Sequence, residues 1–271
     1  MILSFSRRFA FVHIPKCAGE SVEMFCGPQL PITDLIVGPQ PHRPRGWTTL
    51  TRALTRLGKH SGAAEIRRWL GPERYDRYFT FALVRHPEAR VLSAYRYLHD
   101  TVARDTRIAE AMARGGASAG DPWPTRRAAC LRGLGMGEDA LHDLMRSGRD
   151  LRRSPALRSR GWAWRLVGAV MTSDDLEAFV TSPYLAEPRS LEPMVDLVSD
   201  AEGNLIVNHI VKLETLSQDW PEICARIGME GPLPRRNAST SKAAPEVSES
   251  VRAAIARRYQ RDYEAFGYPL P

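Results

Sequence analysis

Apolar residues in this chain fall in short blocks whose spacing changes along the sequence. The continuous run at 9–12 predicts a buried strand over 8–14, and Gly19–Cys26 reads as the helix that follows. Residues 27–47 carry five prolines and three glycines without periodicity, which predicts an irregular loop. Helical spacing returns over 49–57 and Ala63–Leu70. Residues 78–84 form a second apolar, aromatic strand, and 87–99 a helix with Pro87 in its first turn, where a missing N–H is tolerated. Val91, Tyr95 and Leu98 on that helix are spaced to face a core. Met194–Val198 and 205–213 flank a turn-rich link, Asp-Ala-Glu-Gly-Asn at 200–204, which predicts a β-hairpin. Residues 217–227 and 246–266 read as helices, the last with Val247, Val251, Ile255 and Tyr259 four apart.

Strands separated by helices predict an α/β fold with a mostly parallel central sheet flanked by helices. No repeat and no linker stands out, so residues 1–271 are expected to form a single domain. Within it, 103–190 is expected to be a variable helical insertion: GGASAG at 115–120 breaks the pattern, and tryptophans at 123, 162 and 164 require burial. No run is apolar enough to span a bilayer. Ser4, Ser6, Arg7 and Arg8 interrupt any signal-peptide pattern. Four widely spaced cysteines, at 17, 26, 130 and 224, suggest neither a disulfide framework nor a zinc site, and a cytoplasmic protein is expected.

The net charge of +7 favours an anionic partner. Lysines occupy only positions 16, 59, 212 and 242, so the other 34 of the 38 basic residues are arginine. That excess fits either a compositional bias or bidentate recognition of phosphate and sulfate, and the sequence leaves both open.

Residues 13–21, His-Ile-Pro-Lys-Cys-Ala-Gly-Glu-Ser, join the first strand to the first helix. A strand end, a lysine, two small residues and a hydroxyl at a helix start suit an anion. Helix-start N–H groups point outward, and the helix dipole favours negative charge there. The Walker pattern G-x-x-x-x-G-K-[ST] is absent. A second stretch, 79–95, is a strand that ends in Arg85 and continues into a helix carrying Ser93. Ligands bind outside the carboxyl ends of strands in open α/β sheets, so Arg85 and Ser93 are placed to grip one phosphate. An ion pair between Arg85 and a carboxylate such as Glu88 is the competing reading.

The first stretch resembles the 5′-phosphosulfate loop, HIPKTGGTS, of sulfotransferases that use 3′-phosphoadenosine 5′-phosphosulfate (PAPS). The second resembles their 3′-phosphate motif, FVRNPxxRLxSxY, through Val84, Arg85, Pro87, Arg90, Leu92, Ser93 and Tyr95. Residues 59–71, 210–220 and 259–268 are similar to further segments of carbohydrate sulfotransferases and their bacterial relatives, and 235–242 to the late loop that covers the donor. The resemblance implies a P-loop-like core and transfer of a sulfuryl group to a hydroxyl of a carbohydrate or glycoconjugate. It implies PAPS as co-substrate, 3′-phosphoadenosine 5′-phosphate (PAP) as product, and no metal. The site residues it implies are Lys16 on the leaving group, His60 as base with His42 as runner-up, and Lys16, Cys17, Ala18, Gly19, Glu20, Ser21, Arg85, Ser93 and Lys242 around the donor.

Glu20 departs from the family, which has threonine there. A carboxylate close to a phosphate is unfavourable unless it turns away or pairs with a cation. Cys17 sits where thiolate character can rise, or it serves as a small loop residue. A P-loop-like kinase and a non-catalytic PAP-binding protein remain as alternatives. The sequence contains no nucleic-acid-binding module and does not identify the acceptor or the oligomeric state.

Overall fold

The computed structural model describes residues 1–38, 43–44, 46–147, 163–186, 191–234 and 247–271. The chain forms two compact units, one from Met1–Arg90, Pro193–Ala243 and Arg261–Leu270, the other mainly from Val91–Glu192 and Ala244–Gln260.

The first unit is built on a five-stranded sheet. Its elements before residue 91 are β1 (Ile2–Ser4), β2 (Phe9–Val12), α1 (Gly19–Cys26), β3 (Leu35–Ile36), α2 (Trp47–Thr55), α3 (Ala63–Leu70), α4 (Pro72–Tyr75), β4 (Phe79–Val84) and the start of α5 (Pro87–Arg104). The second unit adds α6 (Thr106–Arg114), α7 (Trp123–Leu134), α8 (Glu138–Ser147), α9 (Ala163–Met171), α10 (Leu176–Thr181) and α11 (Pro183–Ala186). The chain then runs through α12 (Met194–Val198), β5 (His209–Lys212), α13 (Leu216–Ile227) and α14 (Glu249–Phe266).

The strand order is β3-β1-β2-β4-β5. β2, β4 and β5 are parallel, with Val12 opposite Ala82 and Ala82 opposite Ile210. β1 is antiparallel to both β2 and β3. The sheet is therefore mixed rather than mostly parallel. The reason lies in the four residues between Ser4 and Phe9: a parallel crossover needs a dozen or more, so β1 can only fold back, through a turn in which Arg8 adopts φ 53°. All residues of β1 and β2 are buried, and Phe9, Phe11 and Phe81 meet between the central strands.

The hairpin expected around 200–204 is also corrected. Met194–Val198 is a helix, and only one bridge, Ser199 with Leu205, crosses the turn. Met194, Val195, Leu197 and Val198 are all buried, with no alternation between two faces. The N–H groups of Met194 and Val195 donate to the buried Asp262 carboxylate at 2.9 Å each, so a remote side chain caps this helix. The turn itself holds, with Asp200 accepting from the N–H groups of Glu202 and Asn204.

The described residues of the second unit are mostly helical. Its helices α6 and α7 approach so closely that a β-carbon on Gly133 would run into the Ala111 carbonyl. Arg127 ties α7 to Glu138 at 2.6 Å and Asp174 at 2.8 Å, and Trp123 donates to the Ser173 carbonyl. Among the described residues no helix is long and apolar enough to cross a membrane.

Candidate functional site

The parallel strands β2, β4 and β5 share one carboxyl edge, and three connections emerge there: residues 13–18, Arg85–His86 and Leu213–Glu214. Sheets of this kind bind ligands at that edge.

The first connection has an unusual backbone. Lys16 has φ 69° and Ala18 φ 57°, left-handed conformations that residues other than glycine seldom adopt. Alternating handedness over successive residues turns backbone N–H groups to one side, the arrangement of an anion-binding nest. Ala18 is also the N-cap of α1, and its carbonyl accepts from the Ser21 N–H at 2.9 Å. The helix dipole adds partial positive charge at the same place. Gly19 is required on its inner side, because a β-carbon there would overlap the His13 imidazole.

Two arginines hold the loop. The buried Arg90 donates through Nε to the Pro15 carbonyl at 3.1 Å. Arg85, directly after β4, reaches the Lys16 carbonyl through Nη1 at 3.5 Å. Lys16 is half-buried. Burial, helped by the Arg85 charge, pushes its ammonium down to about 8 against the opposing pull of Glu20. Cys17 turns inward toward the Pro15 carbonyl and the Met194 sulfur. Burial raises its thiol to about 12 in spite of Arg90 and Arg85, so it is no thiolate.

Beside the loop lies a cluster centred on Glu23. Its Oε1 takes a hydrogen bond from the Met1 amino group at 2.8 Å and sits 2.6 Å from His13 Nδ1, while its Oε2 lies 3.6 Å from Lys59 Nζ. The Met1 amino group, the His13 hydrogen bond and Lys59 overcome burial and hold the Glu23 carboxyl far below its usual range. Burial lowers His13 to about 4 although Glu23 opposes it. Glu20 turns toward Lys59, with Oε1 3.2 Å from Nζ. That pairing meets the requirement the sequence sets for a carboxylate in this loop.

His60 packs edge-on against His13, with ring centroids 4.7 Å apart, and its Nδ1 is 2.9 Å from the His13 carbonyl oxygen. A carbonyl only accepts, so Nδ1 carries the proton and Nε2 is the basic nitrogen. Burial, then the neighbouring His13 ring, moves His60 well below 6.5 and keeps it neutral at physiological pH. At the third connection Glu214 accepts from the His86 N–H and the Tyr268 hydroxyl, both at 2.9 Å. It thereby orients backbone and ring.

The structure thus gathers Lys16, Ala18, Gly19, Glu20, Ser21, Arg85 and His60 on one unit, with Cys17 facing inward. Ser93 stands half-buried on α5 within the second unit. Lys242 and His42 lie outside the described residues. Sequence reasoning missed Glu23 and the bracing role of Arg90. For Glu23 the signal was a second carboxylate three residues after Glu20 on α1, in a chain where cations outnumber carboxylates.

The sulfotransferase family model matches residues 2–269. No curated protein and no solved structure matches the chain.

Proposed function

The chain belongs to the sulfotransferase family, and on that premise we propose that it moves a sulfuryl group from PAPS to a hydroxyl of a carbohydrate or glycoconjugate. The main support is the left-handed loop at Lys16 and Ala18, set on a helix N-terminus with Arg85 beside it at the next strand end. These groups fit a nucleotide with two phosphates: the loop amides and Lys16 suit one, and the guanidinium of Arg85 beside them suits the other. The carbohydrate acceptor rests on the sequence resemblance and the basic charge. A cytoplasmic location is part of the reading, since four buried free cysteines suit a reducing compartment.

When bound, PAPS supplies the activated sulfuryl group. Lys16 places positive charge where negative charge builds on the departing phosphate oxygen. The loop amides up to Ser21 hold the 5′-phosphate, and Arg85 holds the 3′-phosphate. Ser93 and Lys242 enter on the sequence resemblance alone. Glu20 stays on Lys59, clear of the anion. His60 Nε2 takes the acceptor hydroxyl proton, its ring fixed by the His13 carbonyl. Glu23 keeps His13, and through it His60, in place.

Transfer of labelled sulfate from PAPS to a panel of cell-envelope glycans tests the proposal. His60→Ala is expected to lower kcat by roughly 10²–10⁴-fold and leave PAP affinity unchanged. Transfer by that variant at the full rate contradicts His60 as base. Tight PAP binding with no transfer to any glycan favours the non-catalytic alternative.

A further inference from the structure

The opposite end of the sheet carries a cleft that sulfuryl transfer does not use. The register pairs Ser4 with Phe9, so Phe5 lies beyond the start of β2, at the end away from the phosphate loop. Phe5, Leu35, Trp47, Leu50, Leu54 and Trp69 line an almost wholly apolar cleft there, with a volume of about 260 Å³. Trp47, Leu50 and Leu54 follow helical spacing on α2, and Phe5 and Trp69 rings lie 6.3 Å apart. Phe5, Ile32, Leu50, Leu54 and Trp69 make up five of the eight exposed large hydrophobic residues among those described. Leu54 is 74% exposed. Exposed apolar groups that cluster in this way mark an interaction surface.

Charge decides what covers it. Residues 43–78 hold eight arginines and one lysine, Lys59, which pairs with Glu20 and Glu23 by the loop. Against the eight arginines stand three carboxylates, leaving five net positive charges besides Lys59 in the segment that supplies α2 and α3. Arg52 and Arg56 follow Leu50 and Leu54 by two positions each, on the side of α2 away from the cleft, Arg68 precedes Trp69, and Arg8 comes three residues after Phe5, all exposed. The nearest buried carboxylate, Asp34, is occupied by the hydroxyls of Ser4 and Ser6 and the N–H groups of Phe5 and Ser6. A second copy would set this positive face against itself. An apolar stripe of tryptophan and leucine on one face of α2, with exposed arginines on the other, matches the pattern of helices that lie in a lipid headgroup layer.

We propose that this end of the sheet docks on a bilayer rich in anionic phospholipid, with Leu50, Leu54 and Trp69 entering the headgroup layer and the arginines contacting phosphates. The donor loop then faces away from the lipid, at the other end of the strands. The inference stands apart from sulfuryl transfer.

Co-sedimentation of the full chain with phosphatidylcholine/phosphatidylglycerol vesicles, against phosphatidylcholine alone, tests it. Binding is expected only to the anionic vesicles and should weaken as salt rises. Leu54→Asp and the pair Arg52→Glu/Arg56→Glu are each expected to lower the partition coefficient by roughly tenfold. Both sit at exposed positions, and unchanged thermal melts confirm that the fold survives. No binding to anionic vesicles overturns the proposal. Binding indifferent to both variants overturns it too. So does self-association in sedimentation velocity that Leu54→Asp abolishes without any vesicle binding.

Discussion

Ala18 holds a left-handed backbone at a cost of about 1–2 kcal/mol, at the residue that opens α1. Ala18→Gly is expected to raise stability by about 1 kcal/mol in urea unfolding; a loss would show that the loop is not strained. Protonation gives a second prediction. His60 is held well below 6.5 and Lys16 near 8, so the pH profile of kcat/KM should have its acid limb below 6.5 and its alkaline limb near 8. A bound anion favours the charged lysine, so the alkaline limb of kcat should move up. Stability should also depend on acid. Unfolded His13 binds its proton near 6.5 and folded His13 only near 4, so between those values the unfolded state holds the extra proton. Glu23, depressed in the fold, acts in the same sense as pH falls through the carboxylate range. Unfolding free energy should then fall by up to about 1.4 kcal/mol per pH unit from His13 alone as pH drops from 6.5. Flat stability over that interval would contradict the buried cluster. The placing of Lys16 and Arg85 at one edge of the sheet was legible in the sequence, because each closely follows an apolar strand. Glu23 was not, since a carboxylate in the first turns of a helix also serves the dipole, and its partners come from residues 1, 13 and 59.

Among the elements, α1 and α3 match their sequence boundaries, because each is a complete periodic block bounded by a loop and a glycine. α12 does not match. Five apolar-rich residues fit a strand or a helix equally well, and the Asp262 carboxylate that selects the helix comes from 64 or more residues later. β1 and β3, at three and two residues, are too short to carry a period, so the mixed character of the sheet was hidden. Asp262 is fully buried, and the Arg90 charge opposes the burial that raises its carboxyl. Asp262→Ala therefore removes the cap of α12 and a counter-charge for Arg90 together. The expected loss is roughly 3–5 kcal/mol in chemical denaturation, with Asp262→Asn losing less. A loss below about 1 kcal/mol would mean that α12 is held by its apolar face alone.

At the scale of the whole molecule, the family match runs across both compact units, from residue 2 to 269. The net charge of +7 serves two ends of the sheet in this account, an anion loop after β2 and a basic apolar face beyond Phe5. On the proposed reading, the loop and Arg85 together recognise a nucleotide with both 5′- and 3′-phosphates. Thermal unfolding with PAP, with ATP and magnesium, and with no ligand measures this most directly. At a hundredfold excess over Kd, PAP should add about 2.7 kcal/mol and raise the midpoint by roughly 5–10 °C, with ATP giving far less and Arg85→Ala removing the shift. No shift with saturating PAP, or a larger one with magnesium-ATP, would mean that the loop and Arg85 do not form a site for PAP.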